Sequence, residues 1–161
     1  MKKTLVPIAL ALALIAVAPA AFAASANSTL TVQASVAANC TIANATLNFG
    51  AYDPIVANAT ALLPLDNSTT ITVACTKGFT PTIGLAAAGR TITNGADTLT
   101  YELYKDVAGG VVWGDAGGAL FTPPSAPGKG GTAYTIFGRI AGGQDVSTGA
   151  YSGTIQATVN F

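Results

Sequence analysis

The side chains able to do chemistry are few, and their types exclude more than they allow. The 161-residue chain contains no histidine. That removes Ser-His-Asp and Cys-His catalysis and the usual zinc sites together. The carboxylates are scattered among turn-like positions, where an aspartate caps a turn or meets solvent. Asp106 and Asp115 could flank one turn and hold calcium, but the ligand spacing of a calcium loop is absent. Gly128-Lys129-Gly130-Gly131 has the composition of a phosphate loop without its spacing, and no helical pattern follows to supply a positive N-terminus. Trp113-Gly114-Asp115 could form a ligand platform, although an aromatic core anchor beside a turn accounts for it more simply. No catalytic, cofactor-binding or metal site is expected, and the chain does not read as an enzyme.

Cys40 and Cys75 remain, the only two cysteines, with thirty-four residues between them. In an exported protein they predict one disulfide. Closing that loop contributes about 4 kcal/mol by the chain-entropy relation. Two free thiols or a redox pair is the alternative, although there is no Cys-x-x-Cys and no flanking base.

Export itself is legible. Lys2 and Lys3 precede an apolar core over residues 5–17, and Ala21-Phe22-Ala23 is a small-x-small cleavage pattern, so residues 1–23 read as a signal peptide. A transmembrane anchor would be longer and would not carry Pro7 and Pro19. The remaining residues, 24–161, suit one domain and carry five basic against seven acidic side chains, a net charge near −2. No basic patch exists to grip nucleic acid or anionic lipid. Five Asn-x-Ser/Thr sequons, at Asn27, Asn39, Asn44, Asn58 and Asn67, read as strand and turn composition behind a bacterial-looking signal.

The elements are strands throughout. In residues 27–38, Leu30, Val32, Ala34 and Val36 alternate with Thr29, Thr31, Gln33 and Ser35, the pattern of a half-buried strand. Strands are also expected at 40–43, at 46–52 with Leu47 and Phe49 on one face, and at 69–75. Residues 54–67 read as a loop. Pro81 makes 79–85 an edge or irregular strand. Residues 89–97 form a turn-rich connection with room for a short strand. Residues 99–105 alternate clearly, 106–118 suggests a hairpin, and 123–131 is a Pro- and Gly-rich loop. The last strands are 132–140 and 151–161, where Tyr151, Ile155, Ala157, Val159 and Phe161 share the apolar face. No segment shows a helical period with caps. Short strands between turns imply an all-β sandwich. Without residues 27–38 there are about six principal strands, one fewer than an immunoglobulin-like sandwich needs. The final strand would be left as a long apolar edge beside an open groove, an aggregation liability for an isolated molecule.

In order and spacing, several motifs resemble the spore coat protein U domain family, the subunits of archaic, Csu-type chaperone–usher pili. They are Cys40-Thr41-Ile42, Phe49-Gly50-Ala51-Tyr52, Val73-Ala74-Cys75, the run 99–106, Trp113-Gly114-Asp115, Phe137-Gly138-Arg139-Ile140, and 149–154 continuing to Val159-Asn160-Phe161. Gly153 departs from the pattern, since members often carry an acidic residue there. The resemblance implies an incomplete immunoglobulin-like β-sandwich completed by donor-strand complementation. A periplasmic chaperone would lend the missing strand first. At an outer-membrane usher, the N-terminal segment of the next identical or homologous subunit would replace it.

On that reading residues 24–38 are the donor segment, with Leu30, Val32, Ala34 and Val36 as anchors. Residues 39–161 are the pilin domain, and Tyr151, Ile155, Val159 and Phe161 are its groove and core candidates. The expected role is a structural pilus subunit displayed on the cell surface and serving adhesion and biofilm formation, with no cofactor and no nucleic-acid partner. Two other readings compete: a minor subunit or binding module with a ligand site in loops 106–131, and a small outer-membrane β-barrel closed by the strand ending at Phe161. The barrel predicts about eight strands of some ten residues.

Overall fold

The computed structural model describes residues 24–161; the expected signal peptide lies outside them. Residues 35–161 make up one compact unit, and the residues before Ser35 belong to another. Seven strands follow in chain order among the described residues: β1 (Cys40–Ile42), β2 (Leu65–Cys75), β3 (Thr82–Leu85), β4 (Thr91–Thr93), β5 (Thr98–Tyr104), β6 (Thr132–Ile140) and β7 (Ala157–Asn160). The only helical turn described is the three-residue 3₁₀ segment Gly117–Ala119.

Two antiparallel sheets result, one ordered β1-β2-β6-β5-β4 and one made of β3 and β7. The period-two patterns decide which faces meet. Ile71, Val73 and Cys75 on β2, Tyr134, Ile136 and Ile140 on β6, and Leu99 and Leu103 on β5 turn inward, and Ile83 and Leu85 come from β3. Trp113 lies between the sheets, fully buried, and stacks on Phe121 at 4.7 Å between ring centres. Its indole N–H donates to the Ile83 carbonyl at 2.9 Å, so the aromatic at 113 is a core anchor. Cys40 and Cys75 face each other across the β1–β2 ladder and are joined as a disulfide.

Several expected elements come out differently. β2 begins at Leu65, inside the stretch read as a loop, because its first residues pair with Ile140 and Arg139 of β6. An Arg139–Asp66 ion pair at 2.7 Å lies across that register. Pro81 is buried immediately before β3, which pairs with β7 on one side and meets Phe121 on the other, so β3 is not a free edge. Strands of three to eleven residues in two open sheets are not the ten-residue staves of a barrel. The strand over 46–52 is absent from both ladders, and the final one is shortened to β7. Residues 27–38 have no regular secondary structure either, and their side chains are exposed. These last three departures have one physical cause, developed next.

Candidate functional site

The side chains of residues 44–53 and 146–157 form the two walls of an open groove of about 1250 Å³. Its floor is the hydrophobic core itself: Ile71, Leu85, Leu99, Leu103, Ile136 and Ile140. The chain reaches the first wall directly from β1. Ala43 makes one more ladder bond, N–H to the Thr72 carbonyl at 2.9 Å, and then the segment leaves β2. Leu47 and Phe49 fold down over Gly138 of β6, where a Cβ would stand 2.5 Å from Leu47 Cδ2 and 2.7 Å from Phe49 Cζ. Phe49 also meets Tyr101 at 5.9 Å between ring centres.

The wall backbones are largely unpaired. In residues 44–52 one amide has a partner among the described bonds, that of Gly50, which donates to Asn48 Oδ1 at 2.9 Å. The Asn48 carbonyl accepts from Asn67 Nδ2 at 2.7 Å. On the other wall, Ser152 pairs with Thr93 and the Gln156 carbonyl accepts from Ala86 N–H, whereas the amides of residues 153–155 have no partner. Both segments alternate like strands and neither is in a ladder along the groove. They lack a neighbour, because the place between them is vacant, and a strand pattern without a neighbour gives no strand.

The walls run in opposite directions. Residues 42 and 157 share one end, where β1 touches β7. At the other end the Tyr52 hydroxyl donates to the Ala141 carbonyl at 3.1 Å and accepts from Gln144 N–H at 2.9 Å, just before Val146. Asp97 fixes this end further by accepting from Ser147 N–H at 2.8 Å, and the Ser147 contacts hold its carboxyl below the usual range. Gly153 is explained by the same geometry: a side chain there would stand 2.6 Å from the Thr91 carbonyl.

Of the residues singled out from the sequence, Tyr151 and Ile155 line the groove, and the Tyr151 hydroxyl donates to the Ser147 carbonyl at 2.9 Å. Val159 packs against the core from β7. Phe161 departs from expectation. The ladder ends with Asn160 opposite Thr82, so Phe161 projects past the sheet and is 57% exposed. Leu30, Val32 and Val36 are each more than 80% exposed, and Ala34 is exposed as well.

Arg90 went unnoticed in the sequence, since nothing in its neighbourhood marks a charged side chain for the interior. It is 7% exposed and donates to the carbonyls of Leu85, Ala86, Leu103 and Trp113, with Glu102 as its ion-pair partner. Burial pushes its guanidinium below the usual range, but arginine stays charged at any ordinary pH. The side chain therefore ties β3, β5 and the Trp113 segment together behind the groove floor.

The Asp106–Gly131 region offers no converging polar site. Asp106 spends Oδ1 on the amides of Val107 and Val111, which hold its carboxyl below the usual range, and Lys105 Nζ is taken up by the carbonyls of Gly118 and Leu120. Asp115 faces Ala87 N–H at 3.4 Å. Among the described residues no three His, Cys, Asp or Glu side chains are grouped to hold a metal.

Comparison with known proteins agrees with this geometry. The Spore Coat Protein U domain matches residues 26–158. The chain is 33% identical to "Protein U" of Myxococcus xanthus over 154 residues, covering 83% of this chain and 84% of that one. Among solved structures it resembles a chain of the CsuC–CsuE chaperone–tip adhesion subunit pre-assembly complex from the archaic chaperone-usher Csu pili of Acinetobacter baumannii. The TM-score is 0.53 at 21% identity, over 78% of this chain and 40% of that chain. At that identity the likeness establishes the fold, an incomplete immunoglobulin-like sandwich. By sequence, the chain belongs to the Spore Coat Protein U domain family.

Proposed function

We propose that the chain is a structural subunit of a chaperone–usher pilus, that its groove accepts a strand from another molecule, and that residues 28–36 are the strand it gives in turn. The observation that carries the reading is the vacant place between residues 44–53 and 146–157, two strand-like walls with free amides over an apolar floor. An inserted strand pairs with both walls at once and lays alternate side chains on that floor, so that backbone bonds give affinity and the pockets give specificity. The donor supplies what the groove lacks: Leu30, Val32, Ala34 and Val36 at a spacing of two, exposed in the free chain. The solved relative is itself a complex of a pilus subunit with a chaperone, which supports a chaperone as the first occupant.

On this reading residues 1–23 direct export to the periplasm, an outer-membrane usher hands the subunit from chaperone to neighbour, and the assembled filament serves surface adhesion and biofilm formation. The test is direct. A synthetic peptide of residues 27–38 should bind the chain lacking residues 24–36 and protect the amides of residues 44–52 and 153–155 from hydrogen exchange. If the peptide binds without protecting either wall, the groove is not the acceptor.

A further inference from the structure

The geometry points to a second contact between neighbouring subunits: the loop over residues 54–63 is a docking platform for the body of the subunit whose strand fills the groove. This inference rests on the donor-strand reading and adds a surface to it. The occupant is a second copy of this chain.

The loop is apolar where it meets solvent. Ile55, Val56 and Leu62 are 79%, 72% and 90% exposed, and Leu63 is partly exposed beside them. Loops that need only water do not present four large aliphatic side chains within nine residues. The loop is also rigid. Asn58 is buried and uses both ends of its amide: Oδ1 accepts from Asp53 N–H at 3.0 Å, and Nδ2 donates to the Leu63 carbonyl at 3.0 Å. Its backbone N–H donates to the Asp53 carbonyl, and its carbonyl accepts from Gly143 N–H. Asp53 Oδ1 accepts from the amides of Ile55 and Val56, which keeps the Asp53 carboxyl ionised below the usual range. Gly142 allows the close approach, since any Cβ there would press into the Thr60 and Leu63 carbonyls. A loop fixed in this way loses little freedom when a partner lands on it.

Two observations place the partner there. First, the loop continues the groove wall, because Tyr52, Asp53 and Pro54 line the groove and Ile55 follows them. Second, the two ends of the groove are not equivalent. At the end shared by residues 42 and 157, the chain's own donor segment departs. Thr76 Oγ1 is hydrogen-bonded to the Ala37 carbonyl and to Asn39 N–H, each at 3.1 Å, so the departure point is pinned. A subunit in a filament has two neighbours, one receiving its strand and one giving. If the giver's body also lay at that end, the two would compete for the same space. The giver's strand therefore leaves the groove at the Asp53 end, and its body, which starts within three residues of Val36 at Asn39, comes down beside Ile55, Val56 and Leu62.

The test uses filaments of the mature chain with p-benzoylphenylalanine in place of Leu62, of Ala45 in the groove wall, or of Thr135 at the centre of the exposed sheet face. Irradiation should give covalent subunit ladders from positions 62 and 45 and none from 135. Ladders from 45 without ladders from 62 overturn the platform and leave strand donation standing. No ladder from 45 removes strand donation, and the platform with it. In a separate arm, the I55S/L62S variant, which changes only solvent-facing side chains, should still polymerise but release subunits about tenfold faster in mild denaturant. Unchanged release also overturns the platform.

Discussion

Val32→Asp is the substitution that most sharply separates a donor strand from a loose tail. Val32 is 82% exposed in the free chain, so a charge there leaves the folded domain undisturbed. On the donor-strand reading, position 32 faces the apolar groove floor, and no Lys or Arg lines that groove to pair with a carboxylate. A carboxylate meets that environment by taking up a proton. From an ordinary value near 3.9, staying neutral at pH 7 costs about three pH units at about 1.4 kcal/mol each, or about 4 kcal/mol. The lost valine burial adds about 1.5–2 kcal/mol. A total near 6 kcal/mol lowers the exchange equilibrium by about 10⁴.

The penalty depends on pH. At pH 4.5 the protonation cost falls to about 1 kcal/mol while the lost valine burial remains, so the total falls to about 3 kcal/mol and affinity should recover by about 10². The assay is competition between labelled wild-type and V32D peptides of residues 27–38 for the chain lacking residues 24–36, at both pH values. Thr31→Asp, one residue away on the polar face, is the control and should bind within a few-fold of wild type. If V32D and T31D weaken binding equally, the alternation of residues 27–38 does not face an apolar groove and the reasoning fails.

Three further outcomes follow from the domain itself. Arg90→Ala removes the guanidinium donor to the carbonyls of Leu85, Ala86, Leu103 and Trp113 and the ion-pair partner of Glu102, and should cost about 3–5 kcal/mol in urea unfolding followed by Trp113 fluorescence; a loss under about 1 kcal/mol would show that Arg90 does not tie the sheets. Reducing the Cys40–Cys75 disulfide should lower the unfolding free energy by about 4 kcal/mol with the ladder otherwise intact, and an unchanged denaturant midpoint would contradict it. Asp53, Asp97 and Asp106 all have folded-state pKa values below the ordinary one. Their contribution is present above the unfolded value near 3.9 and is lost as pH falls through the folded values. Stability should therefore be level from neutral pH to about 5 and decline below about 4, and a steepest loss between pH 8 and 5 would refute this assignment.

Alternation in the sequence was a sound guide wherever both neighbours of a strand belong to the same chain. Residues 69–75, 99–104 and 132–140 fall inside β2, β5 and β6, with Ile71, Leu99 and Ile136 turned inward. At 46–52 and 151–156, and at 27–38 in the free chain, it marks segments that enter no ladder with this chain's own strands, and for a physical reason. A period of two records that a segment is built to be half-buried, whereas a ladder also needs a partner that the chain itself must supply. The count of about six principal strands did not hold, since seven short strands form among the described residues; the missing strand shows instead in the unpaired amides of the walls at 44–53 and 146–157. β4 is the short strand for which residues 89–97 left room, whereas the early start of β2 was obscured by Pro64, Asp66 and Asn67, whose turn propensity is overridden by pairing with β6. The interior role of Arg90 and the Asn58-braced loop were not legible, because both depend on carbonyls brought together from distant segments.

The central claim is that residues 24–36 complete another molecule. The most direct measurement compares the chain of residues 24–161 with the chain beginning at residue 37, by light scattering and by gel mobility in mild denaturant. The account predicts denaturant-resistant oligomers from the first and no self-polymerisation from the second. Monomers from both, with the walls at 44–53 and 146–157 already paired within a complete sandwich, would contradict it.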